Sequence, residues 1–332
     1  MKNVKLIFSS LLICMLLASP ALGKTTLKIA TLAPENSAWD KVFKRYEKEV
    51  EEASNGSIDL KVYNGGVQGD EEVVVRKMKS GQLDGAAVTA VGLSKIVPNA
   101  LVLQLPGLFN SYKELDYVRK QMNDELAAEF DKKGYIFLGW GDVGFAYIFS
   151  NTPVEKPEDL KKVKMWAWSS DPIASVIISE AGGNPIPLAV PDVLPSLQTG
   201  AINAFTTSPL AGIALRWFTK AKFMGAKKVA VGIGASVITK KAWAKLSPEE
   251  QAILQKASTK WHDKLIKKVR KDNKKSLKVL KKQGIKLVKV SDAMSAQWDA
   301  LAIKVQNKLA GKVYTRAILD KVRNHLKAFR SR

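Results

Sequence analysis

Reactive side chains are scarce in this 332-residue chain, which has one cysteine and two histidines. The cysteine, Cys14, lies in an apolar run from Leu6 to Leu17. That run falls short of the roughly 20 apolar residues that a membrane-spanning helix needs. Lys2 and Lys5 precede it and the small-residue exit "SPALG" follows, so residues 1–23 read as a secretory signal peptide cleaved after Gly23. Ile13 stands before Cys14, where a lipid-modified cysteine would follow a small residue. From residue 24 onward there is no cysteine, which excludes disulfides and a thiol nucleophile. Stability must come from a large core, and about 310 residues suffice for one and suggest two domains.

Other absences narrow the chemistry. His262 and His325 both fall in lysine-rich helical stretches, where exposure to solvent is the expectation. No nucleophile elbow, Walker sequence or zinc-ligand spacing occurs. "GWGDVG", Gly139 to Gly144, does not open a helix as a dinucleotide loop would. The acids Asp70, Glu71 and Glu72 suit the first turn of a helix better than a cation site. An enzyme therefore has little support, and neither a cofactor nor a metal is expected.

Acidic residues are also few: beyond residue 23, 31 face 51 Lys and Arg, a net charge of +20. Much of the excess lies between Lys256 and Lys289, where fourteen Lys and Arg accompany only Asp263 and Asp272. Leu254, Ala257, Trp261, Leu265 and Val269 recur there at helical spacing. A long helix with one buried face and one solvated basic face explains the run; contact with an anionic surface is the alternative.

One arrangement occurs twice. Leu27 to Leu32 reads as a strand, "APENSAW" as a turn, and Ser37 with Asp40 as a capping box opening a helix. A strand around Ile58 to Val62, a helix near Asp70 to Lys79, and "SGQLDGAAVTA" follow. The second pass runs through Val163 to Trp168, a helix capped by Ser170, "GGNPIPL", a helix from Pro191 to Gly200, and "TGAINAFTTSP". Strand–helix–strand–helix–strand implies a parallel sheet in each half. Ligands of such sheets bind beyond the carboxyl ends of the strands. In "KVKMWAWSSDP", Trp166 and Trp168 end a strand and point to one side.

The segments "LKIATLAPENSAWDKVFKRYEKEVEEASNGSIDLKVYNGGVQGDEEVVVRKMKSGQLDGA", "LPGLF", "EKPEDLKKVKM", "GGNPIPLAVPDVLPSLQTGAINAF" and "WAKLSPEEQ" occur in an order that resembles the solute-binding proteins of tripartite ATP-independent periplasmic (TRAP) transporters. The resemblance implies an α/β, two-domain periplasmic-binding-protein fold (type II-like), with crossing hinge strands and a long helix spanning both domains. It implies a periplasmic receptor, not an enzyme, that delivers one small-molecule solute to membrane permease subunits. We expect domain I over residues 24–147 plus 234–262 and domain II over 148–233 plus 263–332, in a monomer without a nucleic-acid partner. Members that bind organic acids commonly carry "KIRVP", whose arginine pairs with the solute carboxylate. Here the run is "KMWAW", and Trp166 stands in the arginine's place. A branch of the family without that arginine works with a tetratricopeptide-repeat lipoprotein, and this chain is similar to it.

Indole offers one donor and a large apolar face, where guanidinium forms two parallel bonds to a carboxylate. A buried tryptophan covers on the order of 200 Å², or about 5 kcal/mol of apolar driving force. A hydrophobic solute is therefore expected, with Trp166 and Trp168 on the cleft wall. Ser169, Thr89, Thr206, Trp39, Phe109 and Phe145 are the further candidates. The alternative is a small organic acid held by a non-standard cation, Lys164 or Arg216.

Overall fold

A computed structural model of the chain describes residues 24–332; the expected signal peptide over 1–23, Cys14 included, lies outside them. The first half runs β1 (Thr25–Thr31), α1 (Ala38–Ala53), β2 (Ile58–Tyr63), α2 (Glu71–Lys79), β3 (Gly85–Thr89) and α3 (Ala90–Ser94). α4 (Tyr112–Lys132) leads into the long strand β4 (Tyr135–Ser150). The second half repeats the order with β5 (Met165–Trp168), α5 (Pro172–Glu180), β6 (Pro185–Leu188), α6 (Val190–Thr199), β7 (Ala204–Thr207) and α7 (Pro209–Ala214). β8 (Phe223–Gly225), β9 (Ala230–Thr239), α8 (Lys240–Trp243), α9 (Pro248–Lys282), β10 (Lys286–Val288), α10 (Asp292–Leu309) and α11 (Arg316–Arg330) complete the chain.

The strands follow the order β2-β1-β3-β9-β4-β7-β5-β6. β1 pairs in parallel with β2 and β3, and β5 pairs in parallel with β6 and β7. Each half thus places its first strand between its second and third. Between the halves lie β9 and β4, antiparallel to each other and to their outer neighbours. β4 continues from one half into the other, which makes one hydrogen-bonded path of the whole. Pro185 and Pro187 sit in β6 at the end of that path, where a missing N–H costs no ladder bond.

α9 spans 35 residues, about 52 Å at the usual rise. Ser247 and Glu250 close a capping box at its start, with Pro248 in the first turn. Leu254, Ala257, Trp261, Leu265 and Val269 are buried, on the face their spacing indicates. The helix packs on α1, β4 and α7. Asn273 joins three elements: its amide donates to the Val143 carbonyl, 2.9 Å, and its oxygen accepts from Leu210 N–H, 3.0 Å.

"GWGDVG" lies within β4, and its glycines make room for this helix. A Cβ on Gly139 would come 2.6 Å from Cγ of His262. Gly144 has φ +112°, and a Cβ there would run into the Asn273 amide nitrogen. β4 shifts register against β9 near both glycines.

The structure corrects three local readings. His262 is buried, not exposed, because the close crossing of α9 over β4 encloses it. Asp171, not Ser170, caps α5 by accepting from Ile173 N–H; Ser170 instead donates to Glu72. Ser37 caps α1, but the Asp40 carboxylate reaches the N–H of Asn36, so the capping box is not closed on Ser37 itself.

Candidate functional site

A cavity of about 310 Å³ lies between the halves, at the carboxyl ends of β1, β3, β5 and β7. The first half contributes Thr31 to Pro34, Trp39, Glu71 and Thr89. The crossing strands contribute Gly141 to Gly144 and Gly234 to Ser236, backed by His262. The second half contributes Trp166, Trp168, Thr206 to Ser208 and Trp217. From there the cavity continues beneath α5, along Ile173, Ala174, Ile177 and Ile178, to Leu160, Met165 and Trp298.

The indoles are held by their N–H groups. Trp166 Nε1 donates to the Leu188 carbonyl, 3.1 Å, and Trp168 Nε1 to Asp70 Oδ2, 2.7 Å. Their rings lie 6.3 Å apart and stacked, and Trp217 meets Trp166 edge-on at 5.0 Å. Trp39 Nε1 donates to the Asp142 carbonyl, 3.0 Å. The Trp39, Trp166 and Trp168 donors are satisfied by protein, which leaves their ring faces and edges for contact with a ligand.

The lining carboxylates are also engaged. Glu71 accepts from Thr89 N–H, the Thr89 hydroxyl and Gly92 N–H at 2.7 to 2.8 Å. Burial pushes its carboxyl up to about 7, against the lowering effect of those bonds. Asp142 pairs with Arg119 at 2.7 Å and with Arg270 at 2.6 Å. Burial alone would lower the Arg270 guanidinium, but bonds to Asp116 and the Asp142 charge hold it above its ordinary value. Burial raises Asp171 to about 6 despite its capping bonds. His262 is shifted down by burial and is neutral near pH 7. Its Nδ1 lies 2.7 Å from the Ser258 carbonyl, which can only accept, so Nδ1 carries the proton and Nε2 accepts from Ser236, also at 2.7 Å.

Of the residues singled out from sequence, Trp39, Thr89, Trp166, Trp168 and Thr206 meet on this cavity. Three others lie elsewhere. Ser169 is exposed, with its backbone N–H on Leu188. Phe109 is packed in the core. Phe145 sits on the far face of β4, 4.7 Å from Tyr112, because Gly144 and Ala146 take the alternate positions that face the cavity. Neither proposed cation reaches the cavity: Lys164 is exposed and bonds the Gly200 carbonyl, and Arg216 is exposed. Among the described residues no Lys or Arg lines the cavity.

Sequence reasoning missed Glu71, Trp217, His262 and the α5 wall. Only α5 carried a usable signal: "PIASVIIS" is apolar on most sides, which marks a helix with two covered faces.

The family model "Bacterial extracellular solute-binding protein, family 7" matches residues 29–312. A solute-binding protein of Chromohalobacter salexigens is 27% identical over 220 residues, 66% of this chain and 65% of that protein, so the chain spans just under two thirds of its length. The C4-dicarboxylate-binding periplasmic protein of Rhodobacter capsulatus is 25% identical over 310 residues, 90% of each chain. A TRAP periplasmic solute-binding protein from Xanthobacter autotrophicus, solved with β-D-galacturonate, superposes with a TM-score of 0.84 at 21% identity, covering 91% of this chain and 99% of that one. The solutes named for the last two are carboxylates. Neither name supports an apolar solute.

Proposed function

This chain belongs to the bacterial extracellular solute-binding proteins, family 7, and from that premise we propose that it is the periplasmic receptor of a TRAP-type secondary transporter. It is a binding protein, not an enzyme. In this reading the solute has a large apolar body, enters the cavity between the halves and is passed to the membrane permease. One observation carries the choice of solute: the lining combines Trp39, Trp166, Trp168, Trp217 and Trp298 with Glu71, Asp142 and Asp171, and among the described residues it contains no Lys or Arg. Taking a carboxylate out of water without a cation costs several kcal/mol, while apolar surface gains roughly 25 cal/mol per Å². The stretch beneath α5 would take the apolar body, and Thr206 and Thr207 at the end of β7 would meet a polar end.

The second reading, a small organic acid, is favoured by the solutes named for the relatives. With Lys164 and Arg216 outside the cavity, it has to rely on hydroxyl and backbone donors. Calorimetry against succinate, galacturonate and medium-chain amphiphiles separates the two. We expect binding of an amphiphile that Trp166→Ala abolishes. Tight binding of succinate or galacturonate that Trp166→Ala leaves unchanged would replace the first reading with the second.

We further propose that residues 24–147 plus 234–262 and residues 148–233 plus 263–332 move as two bodies, with the solute favouring the closed form. A fall in the radius of gyration on saturation checks this, and no change counts against it. A tetratricopeptide-repeat lipoprotein is a further candidate partner. It rests on Trp166 standing in the arginine's place, and neither of the two relatives nor the solved structure named above carries such a partner in its name. Co-purification from membranes that contain the permease subunits tests both partners.

A further inference from the structure

The outer face of α9 has no role in the cavity. Lys256, Lys260, Lys264, Lys267, Lys271, Lys274, Lys278 and Lys282 follow one another at steps of three or four residues and are all exposed. This spacing places them in a single stripe along the helix, about 39 Å from first to last at the usual rise. Lys275 and Lys281, also exposed, flank it. Lys260 pairs with Glu49. Among the described residues no carboxylate lies within 4 Å of the other seven stripe lysines. The helix acids past its first turn are Asp263 and Asp272, and Asp272 is engaged by Lys268.

The stripe is rigidly mounted. The opposite face of α9 is buried against α1, β4 and α7, with Asn273 bonded into two of them. A row of like charges is costly for the fold through self-repulsion, and its offsets gather at one end, where Lys260 meets Glu49 and Lys264 lies 4.1 Å from the Trp261 ring centroid. We propose that this face is a docking surface for the anionic headgroups of a lipid bilayer. A flat sheet of phosphates matches a straight row about 39 Å long without needing a complementary shape, and each lysine near such a surface adds to the attraction. The choice of a bilayer over another polyanion rests on the receptor reading above, since a protein that feeds a permease works at a membrane surface.

The test uses vesicles of phosphatidylcholine with and without 30% phosphatidylglycerol, in a sedimentation assay at roughly 50 and 200 mM salt, on opposite sides of the range where such attraction is screened. The protein partitions onto the anionic vesicles only, and more weakly at the higher salt. Replacing Lys264, Lys267, Lys271, Lys274, Lys278 and Lys282 by Gln lowers partitioning at least tenfold. Replacing six exposed lysines elsewhere (Lys79, Lys132, Lys133, Lys161, Lys312 and Lys327) removes the same charge and lowers it less than threefold. Equal losses in the two variants would mean a net-charge effect and overturn the proposal, as would no partitioning in the wild type. Binding of a DNA duplex that the first variant loses, without vesicle binding, would also overturn it. Solute-induced compaction measured on the same variants tests the receptor reading separately, because these lysines lie outside the cavity.

Discussion

At the end of β3 the cavity meets Thr89, and at the end of β7 it meets Thr206, Thr207 and Ser208. Both ends come from the same sequence plan, and each finishes in a hydroxyl that caps the next helix: Thr89 accepts from Val91 N–H and Ser208 from Ala211 N–H. The first strand of each half departs from this symmetry. After β1, Trp39 turns its indole N–H to the Asp142 carbonyl in the crossing strands. In β5, Trp166 and Trp168 wall the cavity, and Trp168 bonds Asp70 in the other half. The duplicated topology sets where the strand ends stand, while the side chains on them set what they can bind. In the first half Glu71 and Thr89 turn to their own backbone, while the second half supplies Trp166, Trp168 and Trp217 beside Thr206 and Thr207.

The largest test of this contrast is Trp166→Ala. Trp166 is buried among Trp168, Trp217 and Leu188, so truncation should cost about 3–5 kcal/mol by urea denaturation. Trp39 is only half-buried, and Trp39→Ala should cost clearly less. Equal costs would break the contrast between the two walls.

Glu71 tests the polar side. Its folded carboxyl sits near 7, above the usual unfolded value of about 4.3. The protonated form is the one the fold prefers, so the contribution is full below about pH 4 and is lost as pH rises through 7, a span worth about 3–4 kcal/mol. Glu71→Gln should flatten that part of the stability–pH curve. Urea midpoints of wild type and variant at pH 4.5 and 7.5 check it, and a constant difference between them would count against it.

Gly139→Ala addresses the crossing that the two halves share. The added Cβ would press on His262 at 2.6 Å, in a core with little room to yield. The expected cost is about 1–3 kcal/mol. A neutral result would mean that α9 is not held tightly against β4.

The duplicated order, the face that α9 buries and the place of five cavity residues were legible because each is local. Periodicity, caps and the strand–helix alternation depend on neighbours in sequence. His262 was not legible: its burial depends on Gly139, more than a hundred residues away, leaving a gap that an imidazole fills. Glu71 was read correctly as part of a helix start, yet its carboxylate holds the Thr89 and Gly92 amides of the next βα turn, a contact that no spacing encodes. Phe145 differs for a simpler reason. It lies on the right strand, but one residue of register moves a side chain to the other face.

The smallest effect belongs to the bond that joins the two walls. Asp70 caps α2 through Oδ1, which accepts from Glu71 N–H, and takes the Trp168 indole N–H on Oδ2. Ser170 adds a bond to Glu72 at 3.2 Å across the same gap. These bonds tie the Trp168 ring and the Ser170 turn of the second half to the start of α2 in the first. Burial raises the Asp70 carboxyl above its ordinary value, so lowering the pH toward it weakens the bond by removing the charge on the acceptor. Trp168→Phe keeps most of the ring and loses the donor. Asp70→Asn keeps an acceptor for the helix cap and loses the charge. In a double-mutant cycle the pair should show a coupling of about 1–2 kcal/mol, since the bond is charge-assisted but only partly buried. Each single variant should also raise the radius of gyration of the solute-free protein, and the double variant should raise it no further. Additive effects on stability, with an unchanged radius, would show that the two walls meet without holding each other.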